Sequence, residues 1–233
     1  MAVLYLVPSL LSDSDWQMVL PAGVVPVLTE TEYFIVENVR TARRFMKLVD
    51  KNINIDSLTF YELNKHSDPL EIANFLKPAE AGKDMAVISE AGCPGIADPG
   101  AEVVRIAHKK GIRVVPVSGP SSVILALMAS GLNGQNFAFN GYLPVNRNER
   151  KKTIAVLEDK AVRQRQTQIF IETPYRNDQL VNSLLSACSP DTLLCIAANL
   201  TGKDEFIATK SISQWKKNIP NLNKQPAIFL LGI

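Results

Sequence analysis

Histidine and cysteine are scarce in this chain, two of the first and three of the second. His66 and His108 lie far apart with no cysteine at ligand spacing, so no His/Cys metal site is expected. Cys93, Cys188 and Cys195 form an odd, sparse set without paired spacings. That pattern fits a reducing cytosol better than a secreted disulfide scaffold, and a cytoplasmic location is expected. Charge imbalance is also lacking: the formal net charge is +2, so only local clusters could mark a nucleic-acid surface. No apolar run reaches the ~18–20 residues that span a bilayer. The opening Met1-Ala2-Val3-Leu4-Tyr5-Leu6-Val7 has neither the basic stretch nor the cleavage site of a signal peptide and reads as a first strand. The phosphate-cradling patterns G-x-G-x-x-G and G-x-x-x-x-G-K-[ST] are absent, which disfavours the common nicotinamide and nucleoside-triphosphate enzymes.

What is present is an alternation of short apolar runs with amphipathic stretches, the signature of an α/β protein. Apolar residues make up 46% and charged residues 21%, as in globular domains. Strands are expected at 4–7, 33–36, 58–61, 85–89 and 113–117, then at 137–140, 168–172, 193–198, 206–210 and 227–231. Helices are expected at 39–49, 69–76, 101–110, 122–130, 150–163 and 177–187. Turn chemistry at Ser118-Gly119-Pro120-Ser121-Ser122 divides the chain into two α/β domains. Residues 1–117 should form the first, with a mostly parallel sheet, and 118–233 the second, with a mixed sheet. Met46 and Met128 lie on apolar helix faces and are expected in the core; Trp16 and Trp215 read as packing or dimer residues.

The segment best suited to chemistry is Ser89-Glu90-Ala91-Gly92-Cys93-Pro94-Gly95-Ile96-Ala97-Asp98-Pro99-Gly100. It follows a strand and precedes a helix, the position where parallel sheets bind ligands. Three glycines and two prolines fix an unusual backbone path and leave main-chain groups uncovered. An ordinary Gly/Pro connection is the bland alternative, but most such loops have only ~2–6 residues. Of the serines in the second turn, one should cap the following helix and the other could face a ligand.

Residues 89–100 resemble the S-D-A-G-x-P-x-I-S-D-P-G segment of the small-subunit ribosomal RNA (ribose-2′-O) methyltransferase I family, within the tetrapyrrole methylase superfamily. Further resemblances follow in order. Glu37-Asn38-Val39-Arg40 is similar to E-D-T-R, and Ser118-Gly119-Pro120-Ser121-Ser122 to P-G-P-S-A. Phe137-Ala138-Phe139-Asn140-Gly141-Tyr142-Leu143-Pro144, with Arg150, is similar to F-x-F-x-G-F-L-P and its following arginine. Ile171-Glu172-Thr173-Pro174-Tyr175-Arg176 is similar to Y-E-S-P-H-R, and Leu200-Thr201-Gly202-Lys203, more weakly, to L-T-x-K.

The resemblance implies the tetrapyrrole methylase fold, two α/β domains with S-adenosyl-L-methionine in the cleft between them, and a homodimer. It implies cofactor contacts at Gly92, Cys93, Pro94, Ile96 and Ala97, at Ser121 and Ser122, at Pro8, and more loosely at Phe170, Leu200 and Ala227. The implied activity is methylation of ribosomal RNA, with RNA or a ribosomal subunit as partner. Departures also stand out. A-T-P-I-G-N-L becomes Val7-Pro8-Ser9-Leu10-Leu11-Ser12-Asp13, and H-x-H-N becomes Tyr61-Glu62-Leu63-Asn64. R-E-L-T-K-K becomes Ala198-Asn199-Leu200-Thr201-Gly202-Lys203, and the C-terminal extension of longer members is missing. A small-molecule methyltransferase acting on a tetrapyrrole precursor, or a non-catalytic cofactor- or RNA-binding relative, are the alternative readings.

Methyl transfer from a sulfonium is an in-line displacement that needs alignment and a proton acceptor, not a protein nucleophile or metal. The polar candidates are Glu37, Arg40, Asn64, Glu172 and Arg176. Glu37, Arg40 and Glu172 are taken as catalytic, with Glu37 as proton acceptor, against local ion pairing of Glu37 with Arg40 or helix capping by Glu172 and Arg176. Basic residues gather between Arg147 and Arg165, as a solvated helix face or an RNA track.

Overall fold

The computed structural model describes residues 2–63 and 67–233, with the side chains of Pro69 and Leu70 left aside. Asn64 and His66 lie outside the described residues. The chain divides into two compact units, Met1–Ser121 and Ser122–Ile233.

The first unit runs β1 (Val3–Val7), α1 (Trp16–Val19), α2 (Val24–Glu30), β2 (Tyr33–Val36), α3 (Val39–Val49), β3 (Thr59–Glu62), α4 (Pro69–Phe75), α5 (Lys77–Glu80), β4 (Met85–Ile88), α6 (Gly100–Lys109) and β5 (Arg113–Pro116). Its sheet has the order β3-β2-β4-β1-β5 and every pair is parallel. Alternate side chains of the central strands enter two cores. Leu4, Ile35, Met85 and Val87 pack with Ile72, Phe75, Val103 and Ile106 from α4 and α6. Val7, Phe34, Val36 and Ile88 pack with Val24 and Leu28 of α2 and Ala42 and Met46 of α3. Burial on both faces explains why β4 reads as an unbroken apolar run. The connection leaving β1 therefore covers one face and the connection leaving β4 covers the other. These strands are neighbours, so a crevice opens between their carboxyl ends.

The second unit runs α7 (Ser122–Ser130), β6 (Phe137–Tyr142), α8 (Arg147–Arg163), β7 (Thr167–Ile171), α9 (Asn177–Ala187), β8 (Leu193–Ala198), β9 (Phe206–Ser211), α10 (Ile212–Trp215) and β10 (Ala227–Gly232). The sheet order is β6-β7-β10-β8-β9; β6 and β7 are parallel and the remaining pairs antiparallel. Its core joins Ile154 and Leu157 of α8, Leu180 and Leu184 of α9, and Trp215 to Phe170, Ile196 and Phe229. The Trp215 indole N–H donates to the Leu194 carbonyl at 2.8 Å, so that residue is core.

Two expectations need correction. Met128 is 75% exposed, not core. Helix α7 is apolar nearly all round, so periodicity could not say which face would be buried; Val123, Ala126 and Leu127 are the ones that are. Helix α2 escaped the sequence reading because Pro26 interrupts a β-branched run. Pro26 is the third residue of α2, where its missing N–H has no helical partner to lose. Among the described residues no helix is long and apolar enough to cross a membrane.

Candidate cofactor-binding site

Three turns at the carboxyl end of the first sheet meet at the 89–100 loop. The Ser9 amide, just past β1, donates to the Gly92 carbonyl at 2.9 Å, and the buried Ser89 hydroxyl donates to the same carbonyl at 2.6 Å. That carbonyl is fixed from both sides. Gly92 has φ +80°, and an added Cβ would lie 3.1 Å from Leu11 Cδ2 and 3.2 Å from the Pro120 carbonyl oxygen. Only glycine suits that combination. The turn after β5 approaches just as closely: a Cβ at Gly119 would fall 2.2 Å from the Pro8 ring. The Cys93 thiol donates to the Pro120 carbonyl at 3.3 Å.

Asp98 closes the loop. One of its oxygens accepts from the Gly95 amide at 2.8 Å and from the Gly100 amide at 2.7 Å, tying the loop to the start of α6. At the level of sequence Asp98 stands in the 89–100 segment without a role of its own, although the Asp-Pro-Gly pattern at a helix start was the available signal. Between these anchors the Cys93 carbonyl accepts from the Ile96 amide at 3.3 Å and Pro94 is buried, while Ile96 and Ala97 are exposed. The carbonyls of Pro94, Ile96 and Ala97 accept no hydrogen bond among the described residues. Ile96 is 47% exposed, and Ala97 holds the left-handed conformation at φ +61°. A non-glycine residue at positive φ is strained, and such strain is held where backbone geometry matters.

Glu37 stands beside this loop: its Oε1 accepts from the Glu90 amide at 3.4 Å. Burial, then the negative charge of Asp98, push its carboxyl above the usual glutamate value. Glu90 in turn accepts from the Thr41 hydroxyl. No ion pair joins Glu37 to Arg40, and Arg40 is exposed. The local-pair alternative is therefore not what the fold contains. Asn38, where the family pattern has aspartate, accepts from the Arg40 and Thr41 amides and caps α3. The cap survives that departure because either side chain supplies the acceptor.

The positions expected from the second half lie at one end of the second sheet. Register pairs Ile171 with Ile228 and Ala198 with Ala227, which brings Glu172, Leu200 and Ala227 to that end. Phe170 is fully buried and stacks on Phe229 with ring centroids 6.1 Å apart, so it has no side-chain surface to offer a ligand. Leu200 is also buried. Glu172 is 5% exposed, and its Oε1 accepts from the Thr173 amide at 2.7 Å and the Arg176 guanidinium at 2.6 and 2.9 Å. Local pairing accounts for that one oxygen; Oε2 is buried without a partner. Pro8 is buried against Gly119, and Ser122 begins α7 with Ser121 just before it.

A parallel sheet whose central strands end in a braced glycine–proline loop places the chain among α/β proteins of the kind that bind ligands at that edge. Residues 20–215 match the Tetrapyrrole (Corrin/Porphyrin) Methylases, and the chain belongs to that family. It is 34% identical over 212 residues to the Ribosomal RNA small subunit methyltransferase I of Streptococcus pyogenes serotype M6, spanning 91% of this chain and 69% of that protein. The Bacillus subtilis protein of the same name is 30% identical over 214 residues, with 92% and 69% covered. Among solved structures, the methyltransferase CobJ matches with a TM-score of 0.63 at 16% identity, over 99% of this chain and 92% of that one. The uroporphyrin-III-C-methyltransferase from Thermus thermophilus matches at 0.57 and 19%, with the same coverage. Those two likenesses show the fold. The chain is a methyltransferase.

Proposed function

We propose that the chain transfers the methyl group of S-adenosyl-L-methionine to a ribose hydroxyl of small-subunit ribosomal RNA. The donor half of this reading is carried by one observation: the 89–100 loop is clamped at Gly92 and Asp98, and between the clamps the exposed Ile96 and Ala97 keep carbonyls that accept no hydrogen bond among the described residues. Small side chains and the unbonded carbonyls of the exposed Ile96 and Ala97 suit a nucleoside held by main-chain contacts, and Ile96 supplies apolar surface for a flat ring. These residues fit the group. When bound, the donor supplies an electrophilic methyl carbon on a positively charged sulfur. Residues 92–97 then hold the nucleoside end, with Ser9 and Ser89 keeping the Gly92 carbonyl in place. Glu37, with its affinity for a proton raised, takes the proton that an attacking hydroxyl loses.

The RNA half is supported by the names of the relatives and by their similarity across nine-tenths of the chain. Calorimetry with S-adenosyl-L-methionine, followed by transfer of a labelled methyl group, tests both halves. Binding and label in the RNA of small ribosomal subunits are the expected results. Binding with label only in a tetrapyrrole precursor would replace the RNA reading, and binding without transfer to either would make the chain a cofactor-binding protein. No binding would remove the donor assignment altogether.

A further inference from the structure

The second unit contains a pocket of about 430 Å³ between the first turn of α8 and α9. That size lies within the ~300–1,000 Å³ range of small-ligand sites. Its wall is Arg147, Arg150, Gln179, Asn182, Ser183 and Ser186, with Val145 at the edge, and it includes no carboxylate. Arg150 is only 4% exposed, yet no acidic group pairs with it among the described residues. Its partners are neutral. Nε donates to the Ser183 hydroxyl at 3.0 Å and Nη1 to the Val145 carbonyl at 3.2 Å. The Ser183 hydroxyl is itself oriented, donating to the Gln179 carbonyl at 2.8 Å. Among the described residues Nη2 donates no hydrogen bond, and Arg147 adds a second cation on the same wall.

A buried guanidinium without a counter-charge is costly, and the cost is offset when an anion completes its fork of donors. The free amides of α8 do not supply this attraction, because the Asn146 side chain already accepts from the Asn148 and Glu149 amides. The charge comes from two arginines, and the rim amides Gln179 and Asn182 supply neutral donors suited to a tetrahedral oxyanion.

We infer that this pocket is a phosphate-binding site, with Arg150 as the central ligand, Ser183 its positioning residue and Arg147 the outer cation. The inference goes beyond the methyl-transfer reading and does not depend on it. Phosphate could reach the site as a phosphodiester of RNA or as a free phosphorylated small molecule, and the experiment separates the two.

The test titrates the full chain with inorganic phosphate, following the Arg150 Nε–H resonance by NMR and heat by calorimetry. A short oligoribonucleotide is titrated in parallel. Phosphate should move the Arg150 signal in the wild type. Arg150→Gln should weaken phosphate binding by about tenfold or more, and Arg147→Gln by roughly threefold. Should Arg150→Gln fail to fold, Asn182→Asp sets a negative charge at the rim and should also weaken binding about tenfold. If phosphate displaces the oligoribonucleotide and Arg150→Gln weakens both, the source is RNA; if only phosphate binding falls, the source is a small molecule. S-adenosyl-L-methionine affinity should be unchanged in all three variants, which keeps this result separate from the donor assignment. An unmoved Arg150 signal, or phosphate binding indifferent to every substitution, overturns the proposal.

Discussion

The two units handle polar groups in opposite ways. The first gathers its polar and main-chain groups at one edge of an all-parallel sheet, where loops from β1, β4 and β5 brace one another and leave backbone uncovered. The second buries charge inside its walls: Glu172 under Arg176, and Arg150 against Ser183. In the first unit the side-chain hydrogen bonds of Ser89 and Asp98 run to main-chain groups and work with close glycine contacts, whereas in the second they join buried charged side chains to their neighbours. Substitutions should therefore hurt in different ways on the two sides.

The largest effect is expected in the second unit. Arg176→Met leaves the Glu172 carboxylate, whose side chain is 0% exposed, without its cation. Stability should fall by about 3 kcal/mol, the lower end for broken buried pairs, because the Arg176 side chain is 30% exposed. Adding Glu172→Leu should recover most of the loss in a denaturant titration. If Arg176→Met proves neutral, the two units do not differ in this way.

A smaller loss is expected in the first unit from Gly119→Ala, whose new methyl would press on Pro8. Overpacking of this kind costs about 1–3 kcal/mol, and donor affinity should fall with it. Gly134→Ala, with nothing within 4 Å of the new methyl, is the control and should change stability by less than about 0.5 kcal/mol.

Thiol reactivity gives a sharper contrast at less cost. Burial pushes Cys195 above its usual range and, helped by Glu158, pushes Cys188 up to about 12. Cys93 is also raised by burial but remains part-exposed. A thiol reagent at mildly alkaline pH should modify one cysteine in the folded chain, and three after denaturation. Bound donor should slow that single reaction.

The smallest effect on stability concerns Glu37. Its raised value means the folded chain holds the proton more tightly than the unfolded one, so ionisation costs stability at neutral pH. That cost fades as pH falls through the raised value and is gone below the ordinary 4.5. Glu37→Gln should melt slightly above the wild type at neutral pH and level with it below 4.5. With saturating donor the same variant should lose most of its turnover; unchanged turnover would reject Glu37 as proton acceptor.

Much of the fold was legible because it rests on local pattern. Buried parallel strands such as β4 announce themselves as short apolar runs, and α3 shows its cap at Asn38. Helix α8 begins at Arg147, three residues before its expected start, because Asn146-Arg147-Asn148-Glu149 carries no apolar signal and only the cap geometry reveals it. The 89–100 loop could be read from glycine and proline alone. Its clamps could not, since Ser9 and Gly119 reach it across long stretches of chain. Phe170 turns its ring into the core through the alternation of its strand, a placement that its motif position alone does not state.

The approach of Gly119 to Pro8, with the Ser9–Gly92 bond and the Cys93–Pro120 contact, turns three separate turns into a closed hoop. The links hold only as a set, because each joins segments that the chain itself keeps far apart. Replacing Gly92 or Gly119, one link each, should therefore loosen all three turns together.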